Sequence, residues 1–160
     1  MQGFAAITVG NGAIETTIVP ELGAKLAGLR DLRTGREWLW TSRRIPFARH
    51  DPGASSIEVA DNGGCDECFP TVAPCGPVTG WPDGLPDHGQ VWSLPWDVET
   101  SQFDNDAVEI EATVEIAGSY RRNRMIRVEP VSATVTMHDR LDDRSGIDRG
   151  PDTHRTGRSA

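Results

Sequence analysis

Residues 108–116 read VEIEATVEI. Val108, Ile110, Ala112, Val114 and Ile116 alternate with Glu109, Glu111, Thr113 and Glu115. Successive side chains of a β-strand point to opposite faces, so this segment presents one apolar face and one mostly acidic face. That pattern predicts a strand in a sheet with one side against a core and the other in water.

The same period of two continues on both sides. Downstream, Tyr120–Val128 and Ala133–Met137 extend a meander, with Glu129-Pro130 between them. Upstream, Asp104-Asn105-Asp106 marks a turn, and Trp92–Thr100 is a further strand in which Pro95 predicts an edge position or a bulge. Nearer the N-terminus, Phe4–Val9 and Ala13–Val19 flank the turn dipeptide Asn11-Gly12. Pro20 ends that run. Lys25–Leu32 and Glu37–Trp40 flank Arg33-Thr34-Gly35-Arg36 and read as a second hairpin. No window carries a 3.6-residue period over three turns. The expected fold is all-β, an antiparallel β-sandwich.

Two stretches break the alternation. Residues 42–54 (SRRIPFARHDPGA) read as an exposed loop. Residues 63–89 contain five prolines and six glycines, and a loop of this length within a domain is more often functional than idle. Residues 142–160 hold one large aliphatic side chain, Ile147, among Asp, Arg, Gly, Ser, Thr and Pro. Ordering a backbone costs roughly 1–2 kcal/mol per residue, which this segment has little apolar surface to offset. The domain is therefore expected to span 1–141, followed by a polar, disordered tail at 142–160.

The 160 residues suffice for one domain. Apolar residues make up 37 %, below the usual range of about 45–50 %. The formal charge of −8, from 24 acidic against 16 basic residues, argues against nucleic-acid binding, since phosphate contacts demand surplus Lys and Arg. No early stretch has the form of a secretory signal, and none approaches ~18 consecutive apolar residues. Three cysteines without a signal predict reduced thiols and a cytoplasmic location.

The chemistry concentrates in GGCDECFP at 63–70 and LPDHGQVW at 85–92. Cys65, Cys68 and Cys75 with His88 would make a Cys3His zinc set. The alternative is three unligated thiols, because structural sites usually bring a second close pair, which is missing here. Asp66 and Glu67 between the thiols also raise thiol pKa values and disfavour a redox pair. Adjacent carboxylates on an extended chain point to opposite sides, so Asp66 and Glu67 do not form a matched acid/base pair on one atom. Their alternative is a solvated acidic loop. His88, followed by a glycine, is a ligand contact, a proton shuttle or a surface histidine. Trp92 and Trp96 share a face if the strand between them is regular. Such a pair is usually core, although an indole also stacks on the C–H face of a sugar. Arg43, Arg44 and Arg49 could meet a phosphate or form a solvated basic loop.

Three ordered stretches, IVPELGAKL at 18–26, GGCDECFPT at 63–71 and PDHG at 86–89, resemble the aldose 1-epimerase (galactose mutarotase-like) superfamily over about residues 5–141. Cys65 departs from the aromatic residue more common there. The resemblance implies an antiparallel supersandwich that binds a hexose and interconverts its α and β anomers. A base takes the anomeric hydroxyl proton while an acid protonates the ring oxygen, without metal or organic cofactor. It implies that His88 contacts the sugar near its ring oxygen and that Glu67 and Asp66 shape the pocket. Trp92 joins them as a substrate contact through the stacking of its indole.

Members of that superfamily run to nearly twice this length. Their main catalytic histidine, in a His-Pro context, and their catalytic glutamate come later in the chain. His138 precedes the matching place and His154 lacks the following proline, so neither takes that role. The resemblance therefore implies an apparently truncated, N-terminal portion of an epimerase-like protein with impaired activity. The partner is a small-molecule sugar, with neither nucleic acid nor membrane. A half-sandwich also implies exposed sheet edges and self-association. The competing expectations are an inactive sugar-binding or interaction remnant and a small zinc-binding β domain.

Overall fold

Val108–Ile116 is a single nine-residue strand in which all five apolar side chains are buried and Glu111 and Glu115 are exposed. It belongs to a computed structural model that describes residues 3–56, 58, 63–78, 80–102, 107–116, 120–130 and 132–144. Among these residues the chain is all-β, with two antiparallel four-stranded sheets and, as helix, only two single 3-10 turns. The first sheet is a meander of β1 (Ile7–Gly10), β2 (Ile14–Val19), β3 (Lys25–Asp31) and β4 (Arg36–Glu37). The second is a meander of β5 (Asp97–Gln102), β6 (Val108–Ile116), β7 (Tyr120–Val128) and β8 (Val135–Asp143). No helix among the described residues is long and apolar enough to cross a membrane.

Side chains from both sheets share one buried cluster. Ile18, Ala24 and Leu26 from the first meet Ile110, Ala112, Val114, Ile116, Tyr120 and Ile126 from the second, with Val91 and Trp96 from the connection. A polar tie joins the sheets at one end. Asn11 Oδ1 accepts from the amides of Ala13 and Ile14, which makes the first turn, while its Nδ2 donates to Glu129 O and, at 2.7 Å, to Ser132 O between β7 and β8.

β1 begins at Ile7, three residues later than the expected Phe4–Val9, and three further strands differ, each for a local reason. Glu37–Trp40 was expected as a strand, but β4 stops at Glu37, whose Oε1 accepts from Leu29 N at 2.8 Å and Leu39 N at 3.0 Å. Trp38 N still donates to Leu29 O at 2.9 Å, but the side-chain acceptor takes the return bond from Leu29 N, and Trp38 and Trp40 are exposed. Trp92–Thr100 is not one strand. Val91–Ser93 is a 3-10 turn, Pro95 has no N–H for a ladder, and β5 begins only at Asp97. Trp96 Nε1 donates to Val91 O at 3.0 Å across that bend. Conversely, β8 outruns the expected Ala133–Met137 and pairs with β7 along its whole length, from Val128↔Val135 to Tyr120↔Asp143. It therefore takes in Asp142 and Asp143, the first residues expected in the tail, while 145–160 and the expected turn at Asp104-Asn105-Asp106 lie outside the described residues.

On β7 and β8 the core-facing parity carries polar groups as well as apolar ones. The Ile110↔Ile126 pair puts Arg122 and Arg124 on the same face as the buried cluster, with Asp139 opposite Arg124 on β8. On that face of β8, Met137 and Leu141 remain 45 % and 43 % exposed.

Candidate functional site

The long irregular segment from Gly63 to Gly89 folds back on itself. Cys75 against Leu85 and Val78 against Trp81 are antiparallel, hairpin-like rungs, whereas Phe69 and Gly89 pair in parallel. Phe69 N donates to His88 O at 3.2 Å, and Gln90 N donates to Phe69 O at 2.8 Å. Gly89 sits at φ +70°, and a Cβ there would lie 2.0 Å from Phe69 O, so only glycine fits this close approach. Near the hairpin's tip, the Trp81 ring stacks on Tyr120 at the start of β7, with centroids 5.2 Å apart.

The base of the segment is bound to the first sheet. Cys65 and Leu26 exchange both backbone hydrogen bonds, at 2.9 and 3.1 Å. Gly23, at φ +69° in the turn after Pro20–Leu22, donates its N–H to Leu94 O at 2.9 Å, and a Cβ on it would lie 2.3 Å from Trp92 O. The stretches 18–26, 63–71 and 86–89 are thus hydrogen-bonded into one unit, with the 3-10 turn that carries Trp92 packed behind Gly23.

Asp66 and Glu67 diverge from the middle of that unit. Asp66 Oδ2 accepts from Lys25 Nζ at 2.7 Å, and Lys25 Nζ also donates to Gly63 O at 2.7 Å. Lys25, the one lysine of the chain, is only 6 % exposed. Glu67 turns to the second sheet, where Oε1 accepts from Arg122 Nη2 and Oε2 from Arg124 Nη2. Asp139 completes the cluster, its Oδ1 accepting from Arg124 Nε at 2.9 Å and its Oδ2 from Arg124 Nη2 at 3.1 Å. Burial opposes the Arg124 charge, but the Asp139 and Glu67 carboxylates outweigh it and raise its pKa. Two guanidinium groups and two carboxylates leave the cluster neutral overall, with donors and acceptors side by side.

His88 stands at φ +61°, a left-handed conformation uncommon outside glycine. Its Nδ1 lies 2.6 Å from Ser56 Oγ and 3.2 Å from Asp87 Oδ2, and Ser56 Oγ donates to Asp87 Oδ2. The Asp87 side chain is 4 % exposed and the His88 ring 34 %. Trp92 is buried, with its ring 5.3 Å from that of His50. Three buried polar atoms of these residues have no partner among the described residues: Asp66 Oδ1, Trp92 Nε1 and Arg122 Nε. Buried polar atoms are nearly always paired, so each stands out.

Sequence reasoning singled out Asp66, Glu67, His88 and Trp92. The structure adds Lys25, Ser56, Asp87, Arg122, Arg124 and Asp139. The signal for the arginines was parity, since Arg122 and Arg124 fall in step with Ile126 and Val128. Cys65 and Cys75 are exposed and Cys68 is half-buried. Burial first, then Glu67 and Asp66, push the Cys68 thiol above its ordinary pKa. No group of three His, Cys, Asp or Glu side chains is arranged to hold a metal among the described residues. Arg49 pairs with Glu21 on an exposed surface.

A concavity of about 510 Å³ lies over β6–β8, lined by Glu111, Asn123, Arg124, His138, Asp139 and Asp142 among others. It shares Arg124 and Asp139 with the cluster around Glu67 but contains no residue of the three motif stretches. Its charges satisfy one another at the surface, with Asp142 accepting from Arg140 Nε at 2.8 Å and Asn123 Nδ2 at 3.2 Å, and such exposed pairs say little about a ligand.

No family model matches the chain, and comparisons with curated proteins and with solved structures find no significant match.

Proposed function

We propose that this chain is a carbohydrate-binding protein of the aldose 1-epimerase kind, holding a hexose or sugar derivative against the unit formed by Asp66, Glu67, His88 and the β7 arginines. One observation carries this reading. The three stretches that resemble the superfamily, separated in sequence by tens of residues, are joined by direct backbone hydrogen bonds and the Lys25–Asp66 pair. A mixed set of carboxylates and guanidinium groups suits hydroxyl ligands, which both donate and accept. The unpartnered atoms of Asp66, Trp92 and Arg122 support the same reading. The fold it implies is a supersandwich, with the buried cluster shared by both sheets as its interior.

The test is anomer exchange of freshly dissolved α-glucose and α-galactose, followed by polarimetry or NMR with and without protein. Exchange above the spontaneous rate supports an epimerase. Sugar-dependent tryptophan fluorescence without faster exchange supports an inactive binder. Neither effect with any hexose or hexose phosphate contradicts the proposal.

A second reading is favoured by Met137 and Leu141, which are exposed on a face that is core along β6. In it the second sheet is an interaction module that self-associates through β8. Sedimentation velocity tests this. The oligomer is expected to dissociate in a Met137→Lys, Leu141→Lys variant, and a monomeric wild-type chain would contradict it.

A further inference from the structure

The contacts around His88 determine which of its nitrogens carries the proton. Three atoms lie within mutual hydrogen-bond reach: His88 Nδ1, Ser56 Oγ and Asp87 Oδ2. An ionised carboxylate only accepts, and a serine hydroxyl has one proton to give. If Ser56 gave that proton to Nδ1, Asp87 Oδ2 would face both Ser56 Oγ and His88 Nδ1 with no hydrogen between them. If Ser56 gives it to Asp87, its oxygen is left to accept from Nδ1–H. Only this second arrangement puts a hydrogen on both short contacts, with the longer one, Nδ1 to Asp87 Oδ2 at 3.2 Å, sharing the Nδ1–H. In the first, the Ser56 and Asp87 oxygens would face each other within hydrogen-bond distance with no hydrogen between them and repel.

We infer that Ser56 and Asp87 are positioning residues that hold neutral His88 as the Nδ1–H tautomer. Nε2 is then an unprotonated acceptor on a ring that is one-third exposed. An unrestrained histidine in water favours the opposite tautomer, so the effect is measurable. Resting on the proposed sugar-binding reading, His88 accepts a hydrogen bond from a ligand hydroxyl through Nε2. In its neutral form it does not donate to a ring oxygen, which has no proton to offer and requires a donor. The site therefore selects a ligand with a hydroxyl at that position and disfavours one with only an ether oxygen or a hydrogen there.

The test is long-range 1H–15N correlation NMR on the full chain with 15N-labelled histidine, at a pH where the imidazoles are neutral. The His88 signals are assigned by their loss in His88→Gln. The expected result is a protonated Nδ1 and an unprotonated Nε2, kept in Ser56→Thr and shifting toward the Nε2–H tautomer when both acceptors are removed in Ser56→Ala, Asp87→Ala. A wild-type ring that is Nε2–H overturns the inference, and so does an Nδ1–H ring indifferent to the double change. Sugar titration then separates the two layers. Binding should move the Nε2 resonance, and the Ser56→Ala, Asp87→Ala variant should weaken affinity roughly three- to tenfold, the range of one hydrogen bond. If the tautomer is as inferred but no hexose or hexose phosphate moves any resonance, the sugar-binding reading fails and the hydroxyl role with it, while the tautomer assignment stands.

Discussion

Asp66 and Glu67 are neighbours in the chain, yet their carboxylates engage opposite sheets: Asp66 takes Lys25 at the start of β3, and Glu67 takes Arg122 and Arg124 in the middle of β7. An extended backbone sends adjacent side chains to opposite sides, so one dipeptide clamps both layers. The segment that carries His88 is held between them.

The Glu67 clamp makes a prediction about stability. The Glu67 and Arg122 side chains are each 13 % exposed and that of Arg124 7 %, so Glu67→Gln weakens charge-assisted hydrogen bonds in a largely dry setting. Urea unfolding should show a loss of about 1.5–3 kcal/mol, with the slope unchanged. An unaltered midpoint would mean that the clamp contributes nothing net.

The parity of β6 predicts a contrast between two adjacent positions. Ile110 is fully buried and Glu111 is exposed. Ile110→Ala should cost about 2–5 kcal/mol, whereas Glu111→Ala should stay within about 0.5 kcal/mol of wild type. Similar losses at both positions would place the strand in the wrong register.

The strands whose alternation is chemical as well as geometric were legible without coordinates. β6 and β7 match the expected residues because their buried positions are mostly aliphatic and the intervening ones mostly charged. β8 was read four to six residues too short, because His138, Asp139, Arg140 and Asp142 blur its period and its edge position exposes both faces. The strand expected at Trp92 failed because the bend there depends on Trp96 reaching back to Val91 O, a contact that no local pattern announces. Of the candidate site, Asp66, Glu67 and His88 were singled out through the resemblance, since residue type and spacing alone left a solvated acidic loop and a surface histidine open. Lys25 was not, because only the fold buries it. Ser56 lies 31 residues before Asp87, outside the Gly63–Gly89 segment, and only the tertiary fold brings them together.

Gly89 predicts a backbone effect. A methyl group there meets Phe69 O at 2.0 Å and forces a side chain into a left-handed conformation. Gly89→Ala should destabilise by more than about 1 kcal/mol. Hydrogen exchange should rise at the Phe69 and Gln90 amides, which pair across that rung. Protection retained at both amides would contradict the close approach.

Acid should release the turn between β3 and β4. The hydrogen bond from the Arg33 side chain, opposed by burial and aided by the Arg33 and Thr34 amides, lowers the Asp31 pKa from 3.8 to about 2. A carboxylate depressed in the folded state contributes stability that is fully present above its unfolded pKa and is lost as pH falls through its folded one. The Asp31 share is therefore present above pH 3.8 and disappears as pH drops toward about 2. Carboxyl-carbon NMR should give an Asp31 midpoint near 2, and Arg33→Ala should move it back toward 3.8. A wild-type midpoint at the ordinary value would contradict the contact.

Saccharide binding at the joined motif stretches is tested most directly by saturation-transfer NMR on the full chain with a panel of hexoses and hexose phosphates. Wild type should transfer magnetisation to at least one sugar, and His88→Ala and Glu67→Gln should each reduce that transfer while leaving the folded spectrum intact. Transfer to no member of the panel, or transfer undiminished in both variants, would contradict it.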